Sequence, residues 1–184
     1  MSLFMISLIK VRTVNLTQIA LAMNPHVCAA SNYRRLQRFF ALFDLDLNAV
    51  ARFVVALLPV KDNFILTLDR TNWKLGRANI NFLVLAVAYK GAAFPVLWSL
   101  LDKRGNSHTC ERIDLLQRFI ELFGKDKLRC LLADREIIGD DWIAWLKREQ
   151  ICFYIRIRSN AQVATPNGLQ RIDRSFEHLK VGQH

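Results

Sequence analysis

The stretch LTLDRTNWKLG, residues 66–76, begins as an apolar strand and then runs into a carboxylate followed at once by a cation. Extended back through Phe64-Ile65, it reads as a buried strand whose end carries Asp69 and Arg70. A charge at the end of an apolar strand is costly to bury unless something pairs with it. Two pairings fit: Arg70 neutralises Asp69 locally, or Asp69 is held for a metal or a proton. The same pattern returns in Cys130-Leu131-Leu132-Ala133-Asp134-Arg135, so two separate strands each end in Asp-Arg.

Working outward, the hydrophobic period is that of strands from Asn63 onward. NFILTLD (63–69) is followed by INFLVLAVAYK (80–90) and AAFPVLWSLL (92–101), the last two joined by a turn at Lys90-Gly91. The apolar run from Ile80 to Leu101 is long enough to span a bilayer. Tyr89-Lys90-Gly91 interrupts it, and a buried hairpin is the better reading. After a polar loop from Asp102 to Ser107, SHTCERIDLLQRFIELFG (107–124) places Ile113, Leu116, Ile120 and Phe123 on one helical face and ends in Gly124. LRCLLAD (128–134) is a fourth strand. Asp140 or Asp141 can cap the helix DWIAWLKREQ (141–150), and CFYIRIR (152–158) is a fifth strand with Arg156 and Arg158 on one face. Beyond Ser159 the pattern weakens to a polar loop containing Pro166-Asn167-Gly168.

Three meandering strands, a helix, a strand, a helix and a strand make the mixed-sheet α/β layout of the RNase H-like fold. There the first and fourth strands lie side by side at the centre of the sheet. Adjacent parallel strands would bring Asp69 and Asp134 together although they are far apart in sequence. Two carboxylates at neighbouring strand ends repel each other and favour a divalent cation between them. Hard oxygen ligands suit Mg²⁺ or Mn²⁺.

Ahead of this region, residues 13–43 read as helices. Leu16, Ile19, Ala20 and Met23 repeat at helical spacing, with Thr13 or Asn15 as N-cap, and Asn24-Pro25 ends the helix. Ser31 or Asn32 can cap a second helix, YRRLQRFFALF (33–43). Its apolar stripe is Leu36, Phe39, Phe40 and Phe43, with Arg34, Arg35 and Arg38 off it. A short break and a basic second helix suit a helix-turn-helix. A helical hairpin with a solvated basic face fits the same residues. A further apolar helix from Leu47 to Leu58 leads to Pro59.

Composition agrees with a packed, polyanion-binding protein. The 184 residues are 52% hydrophobic with only 7 Gly and 4 Pro, and the net charge is +10. The first acidic residue is Asp44, whereas Lys10, Arg12, Arg34, Arg35 and Arg38 precede it. Cys28, Cys110, Cys130 and Cys152 lie far apart with no histidine at ligand spacing, which fits reduced thiols in a cytosolic protein. The start, MSLFMISLIKV, lacks the basic region and cleavage site of a signal peptide. His26, His108, His178 and His184 have no partner pattern for nucleophilic catalysis and read as surface or capping residues. Trp73, Trp98, Trp142 and Trp145 suit base stacking in principle, but Trp142 and Trp145, three apart on a helix, suit a core.

Three segments carry a resemblance: LTLDRTNWKLGRANINFLVLAVAYKGAAFPV (66–96), KRGNSHTCERIDLLQRFIELFG (103–124) and LLADREIIGDDWIAWL (131–146). They resemble bacterial insertion-sequence transposases with an Asp-Asp-Glu triad, and more narrowly the cut-and-paste group whose Glu lies in a Tyr-x-x-Arg-x-x-x-Glu signature. The similarity runs from the basic helical start to about Gly182. It implies metal-dependent cleavage and transfer of DNA strands at element ends. By the resemblance, Asp69 and Asp134 are the first two triad members, holding two Mg²⁺ (or Mn²⁺) ions roughly 3.5–4 Å apart. Arg70, Lys74 and Arg135 would neutralise phosphate nearby; a local salt bridge or a solvated charge explains each of them as well.

One departure stands out. No Tyr-x-x-Arg-x-x-x-Glu occurs in the chain. In this group that glutamate follows a β-rich insertion, within which His184 falls. Glu136, two residues past Asp134, and Glu177, within SFEHLKVG, do not match the triad position. The organisation expected is therefore a helical DNA-binding segment over 1–60, an RNase H-like core over 61–160 and the start of the insertion over 161–184, incomplete at the C-terminus. Such a chain is expected to be bacterial, cytoplasmic and nucleoid-associated, with no membrane partner. It would bind double-stranded terminal-repeat and target DNA, as a homodimer in the DNA complex, yet be inactive alone. A standalone RNase H-like nuclease would need its last carboxylate within these residues. A missing downstream helix would also leave one face of the sheet exposed.

Overall fold

The computed structural model describes residues 2–75, 78–103, 105–166 and 168–176. The chain divides into two compact units, the first ending at Asp46 and the second beginning at Leu47.

In the first unit, α1 (Ser2–Val11), α2 (Leu16–Ala22) and α3 (Ala29–Leu42) pack around Ile19, Ala20, Met23 and Leu36. Asn15 is the cap of α2, its Oδ1 accepting the backbone N–H groups of Thr17 at 3.0 Å and Gln18 at 3.5 Å. The expected cap of the next helix is elsewhere: α3 starts at Ala29 with Cys28 as N-cap and no side-chain bond there. Asn32 instead lies inside the helix, buried, and its Nδ2 donates to the carbonyls of Ala20 and Asn24 at 3.2 and 3.3 Å. It satisfies the orphan carbonyls at the end of α2 and so ties the two helices together. Helix α1 has no counterpart in the periodicity reading, because its residues are apolar on every side and show no stripe. Among the described residues no single helix is long and apolar enough to cross a membrane, and α1 and α2, which would be together, are bent by 109°.

The second unit opens with α4 (Leu47–Leu57), whose Ala51 and Val55 join the core of the sheet. The two compact units thus divide at residues 46/47, inside the helical segment expected over 1–60. Next come β1 (Phe64–Leu75), β2 (Ala78–Tyr89), β3 (Ala92–Leu100), α5 (Thr109–Phe123), β4 (Leu128–Ala133), α6 (Asp140–Arg148) and β5 (Phe153–Ile155). The sheet order is β3-β2-β1-β4-β5, with β1 and β4 adjacent at the centre. Pairs β1/β2 and β2/β3 are antiparallel, and β1/β4 and β4/β5 are parallel. This is the RNase H-like order expected.

Alternation sets which face is buried. Phe64, Leu66 and Leu68 of β1 and Leu83, Leu85 and Val87 of β2 face one side, where they meet Leu115, Leu116 and Phe119 of α5 and Trp142 and Leu146 of α6. Between β2 and β3 the register shifts: Leu85 pairs with Leu97 but Ala86 with Pro95, leaving Val96 as the extra residue of a bulge. That bulge buries Val96 and Leu97 together and excuses Pro95 from the ladder on an edge strand. Tyr89 pairs with Ala92 across Lys90 and Gly91, whose φ values of 48° and 81° are those a two-residue hairpin demands.

Three local expectations change. Gly139, not an aspartate, is the N-cap of α6; Asp140 and Asp141 occupy its first turn, where their charge favours the helix N-terminus. Strand β5 stops at Ile155, so Arg156 and Arg158 lie beyond it. The loop expected after Ser159 contains a hairpin, β6 (Gln162–Thr165) and β7 (Gly168–Arg171), followed by a 3₁₀ turn over Ile172–Phe176. Glu177, weighed as a third ligand, lies outside the described residues, as do His178 and His184.

Candidate active site

Strand β1 does not end at Asp69. It continues to Leu75, paired with β2 as far as Leu75–Ala78, whereas its parallel ladder with β4 closes at Leu68–Ala133. Asp69 and Asp134 are the next residue on each strand. They leave the shared ladder at the same level, on strands roughly 5 Å apart.

Neither carboxylate is neutralised by the arginine that follows it in sequence. Asp69 is exposed, and its Oδ1 accepts the backbone N–H of Arg70 at 2.7 Å. Asp134 lies 3.7 Å from Nη1 of Arg156, a side chain 84% exposed. Such a solvent-screened contact is worth little. Its Oδ1 is closed off from solvent and has no hydrogen-bond partner. A buried anionic oxygen without a donor is an electrostatic debt that a cation would remove.

Alternation turns Arg70 to the opposite face from Asp69. There its Nη2 donates to Oε2 of Glu136 at 2.8 Å, with the Arg70 side chain only 14% exposed. Glu136, a tempting third ligand by sequence, is thus engaged with Arg70. The loop that carries it is tied to the loop before α5, which is itself held by β2. Nδ2 of Asn106 donates to the Glu136 carbonyl. Asn81, buried on β2, donates to the carbonyls of Lys103 and Gly105 at 3.2 and 3.0 Å.

Arg112, 3% exposed within α5, donates to Ser107 Oγ at 2.8 Å, Ser107 O at 2.6 Å and Ile138 O at 3.3 Å. Burial lowers its pKa, partly offset by Glu111. The sequence reading found none of Asn81, Asn106 and Arg112. Polar residues at core-facing helix and strand positions were the only signal available.

Of the remaining candidates, Arg135 is exposed and follows Asp134 directly. Lys74 is not with them: five residues further along β1 it is roughly 17 Å away at ~3.4 Å per residue. It lines a separate cleft with Asn72, Asn79 and Lys103. In the first unit Arg34, Arg35 and Arg38 are all exposed on α3, within about 100° of its circumference at 3.6 residues per turn. Arg34 borders a cleft with Thr17 and Gln37, whereas Arg35 lines another with Phe4 and Phe39.

The face of the sheet that carries Asp69 is open. A groove of about 730 Å³ runs over Asp69, Trp73, Phe82, Val84, Pro95 and Trp98. Trp73 is 63% exposed and meets Phe82 edge-on at 5.8 Å. Trp142 and Trp145, by contrast, are stacked in the core with centroids 5.6 Å apart. Among the described residues no group of three or more His, Cys, Asp or Glu side chains is arranged to hold a metal.

The solved structures similar to this chain include the HTLV-2 integrase catalytic core domain in complex with magnesium, dimeric form. It has 19% identity and a TM-score of 0.40 over 53% of this chain and 63% of that one. The simian T-cell lymphotropic virus intasome in complex with PP2A regulatory subunit B56 gamma has 15% identity and a TM-score of 0.41, over 62% of this chain and 37% of that one. This chain thus spans less than two thirds of either. No curated protein matches it. The transposase DDE domain family matches residues 61–183, well over half the chain and both Asp-Arg pairs, and the chain belongs to that family.

Proposed function

We propose that the chain binds double-stranded DNA at insertion-sequence ends and contributes Asp69 and Asp134 to a metal-dependent site for cleaving and joining phosphodiesters. The observation that supports this reading is the parallel register of β1 and β4, in which Asp69 and Asp134 are the next residues after the last pair, Leu68–Ala133. The donor set fits a hard divalent cation, since both groups are carboxylates and the buried Oδ1 of Asp134 has no hydrogen-bond donor, only the exposed Arg156 at 3.7 Å. Asp69 and Asp134 would hold Mg²⁺ or Mn²⁺. When bound, such an ion activates a water or a DNA 3′-hydroxyl and stabilises the leaving oxygen.

The rest of the work falls to this chain's own side chains. Arg156 lends Asp134 partial compensation and must give way to a cation. Arg70 and Arg135, beside the strand ends, neutralise backbone phosphate, and Lys74 does so further along β1. Arg34, Arg35 and Arg38 supply phosphate contacts from α3. A homodimer on DNA would present two copies of the site.

A second reading concerns the chain by itself: it recognises DNA but does not cut it. The lack of a third ligating side chain among the described residues favours this, and it counts equally against a standalone nuclease. The two-metal chemistry needs a third carboxylate, which residues other than the described ones would supply. Parts of such a unit act together, so two carboxylates retain little of the rate.

Purified chain incubated with supercoiled plasmid in Mg²⁺ and in Mn²⁺ tests both readings. Retained DNA binding without nicking is expected. Nicking that disappears in both Asp69→Ala and Asp134→Ala would show that the residues present suffice. Failure to bind DNA at low salt would overturn the functional reading itself.

A further inference from the structure

On the side to which Arg70 points, away from Asp69, lies a cleft of about 500 Å³ whose polar lining is Arg70, Arg135, Arg158, Asn106, Asn160 and Glu136. Three guanidinium groups face one carboxylate there, with two amides in addition. Ile138, Ile157 and Ala161 complete the wall.

Arg70 is the least satisfied of these groups. Its Nε and Nη1 are closed off from solvent and have no hydrogen-bond partner. A buried guanidinium bonded through one nitrogen alone is costly, because neither protein nor bulk water meets its other donors. Its present partner, Glu136, is 53% exposed and can swing into solvent. The backbone of Glu136 stays fixed meanwhile by Asn106.

We infer that this cleft binds one phosphodiester group of a DNA backbone, with Arg70 as anchor and the Glu136 carboxylate as a placeholder that the phosphate displaces. A tetrahedral anion offers more acceptor oxygens than a carboxylate, and planar guanidinium groups bind it through paired bonds. Arg158 and Arg135, both exposed, close over it from the rim. Because Arg70 follows Asp69, and Arg135 and Glu136 follow Asp134, a phosphate held here also steadies the backbone that carries both carboxylates. The inference rests on the reading of the chain as a DNA-processing protein, but the anion site is measurable without DNA.

Inorganic phosphate titrated into the metal-free full chain, in EDTA and constant chloride, is followed by calorimetry and by ¹⁵N shifts of arginine side chains. Saturable binding is expected, with Arg70 Nε among the shifted resonances. Loss of one charge-assisted bond should weaken binding at least about tenfold in Arg70→Gln and in Arg158→Gln. Glu136→Gln removes the competing anion and should tighten it several-fold. Arg158 is exposed, so its variant keeps the test sound if Arg70→Gln fails to fold. No saturable binding, unchanged affinity in Arg158→Gln, or weaker binding in Glu136→Gln would overturn the proposal. Phosphate binding in a chain that does not bind DNA would refute the functional reading and leave the anion site standing.

Discussion

Replacing Arg112 with Met should destabilise the second unit by about 2–3 kcal/mol. The side chain is 3% exposed and makes three hydrogen bonds, two of them to the main-chain carbonyls of Ser107 and Ile138. Methionine fills much of the aliphatic volume but donates nothing, so both carbonyls and the Ser107 hydroxyl lose a charged donor. Each loss costs roughly 1–3 kcal/mol when no water can enter. Against that total stands the relief of no longer burying a guanidinium, itself several kcal/mol, which is why the net figure is smaller than the sum. For a chain of this length the change amounts to roughly 5–10 °C in Tm. Urea unfolding followed by tryptophan fluorescence is a suitable assay, since Trp142 and Trp145 lie in the same core. A shift below about 0.5 kcal/mol, the range of an ordinary surface substitution, would refute the assignment of Arg112 as the tie between Ser107 and Ile138.

Other expectations follow from the same contacts. Salt should weaken DNA binding steeply, and loss of one true phosphate contact among Arg34, Arg35 and Arg38 should reduce the log–log slope by roughly 0.9. An unchanged slope in the triple alanine variant would make α3 a scaffold only. For Glu111, burial opposes ionisation, but the Lys103 bond at 2.7 Å and the His108 N–H outweigh it and hold the pKa below the ordinary 4.5. With the folded-state pKa depressed, its stabilisation is present above that ordinary value and is lost as pH falls through the folded one. Acid titrations of stability should therefore lose this component in Glu111→Gln, and identical profiles would contradict it.

Much of this was legible before any coordinates. The apolar run from Phe64 to Leu68 read as a buried strand, and the order of strands and helices implied that β1 and β4 would be adjacent. That Asp69 and Asp134 lie on neighbouring strands followed from that order, since topology sets which strands pair. The extent of β1 was not legible: Asp69 looks like a terminus because polar residues follow, yet pairing with β2 carries the backbone on to Leu75. Helix α1 was invisible to periodicity because it has no polar face to contrast with an apolar one. The partner of Arg70 was equally hidden. Its sequence neighbour Asp69 points to the other side of the pleat, and Glu136 comes near only through the crossover between β1 and β4. Asn32 and Arg112 illustrate the same limit, since side-chain bonds to distant carbonyls leave no periodic trace.

The central claim is that Asp69 and Asp134 hold one divalent cation between them. Mn²⁺ binding measured by electron paramagnetic resonance on the purified full chain tests it most directly, because it needs neither DNA nor turnover. Asp69→Ala and Asp134→Ala should each lower the affinity by about tenfold, since each lost anionic ligand leaves its position to water. Mn²⁺ affinity unchanged in either variant would contradict the shared site.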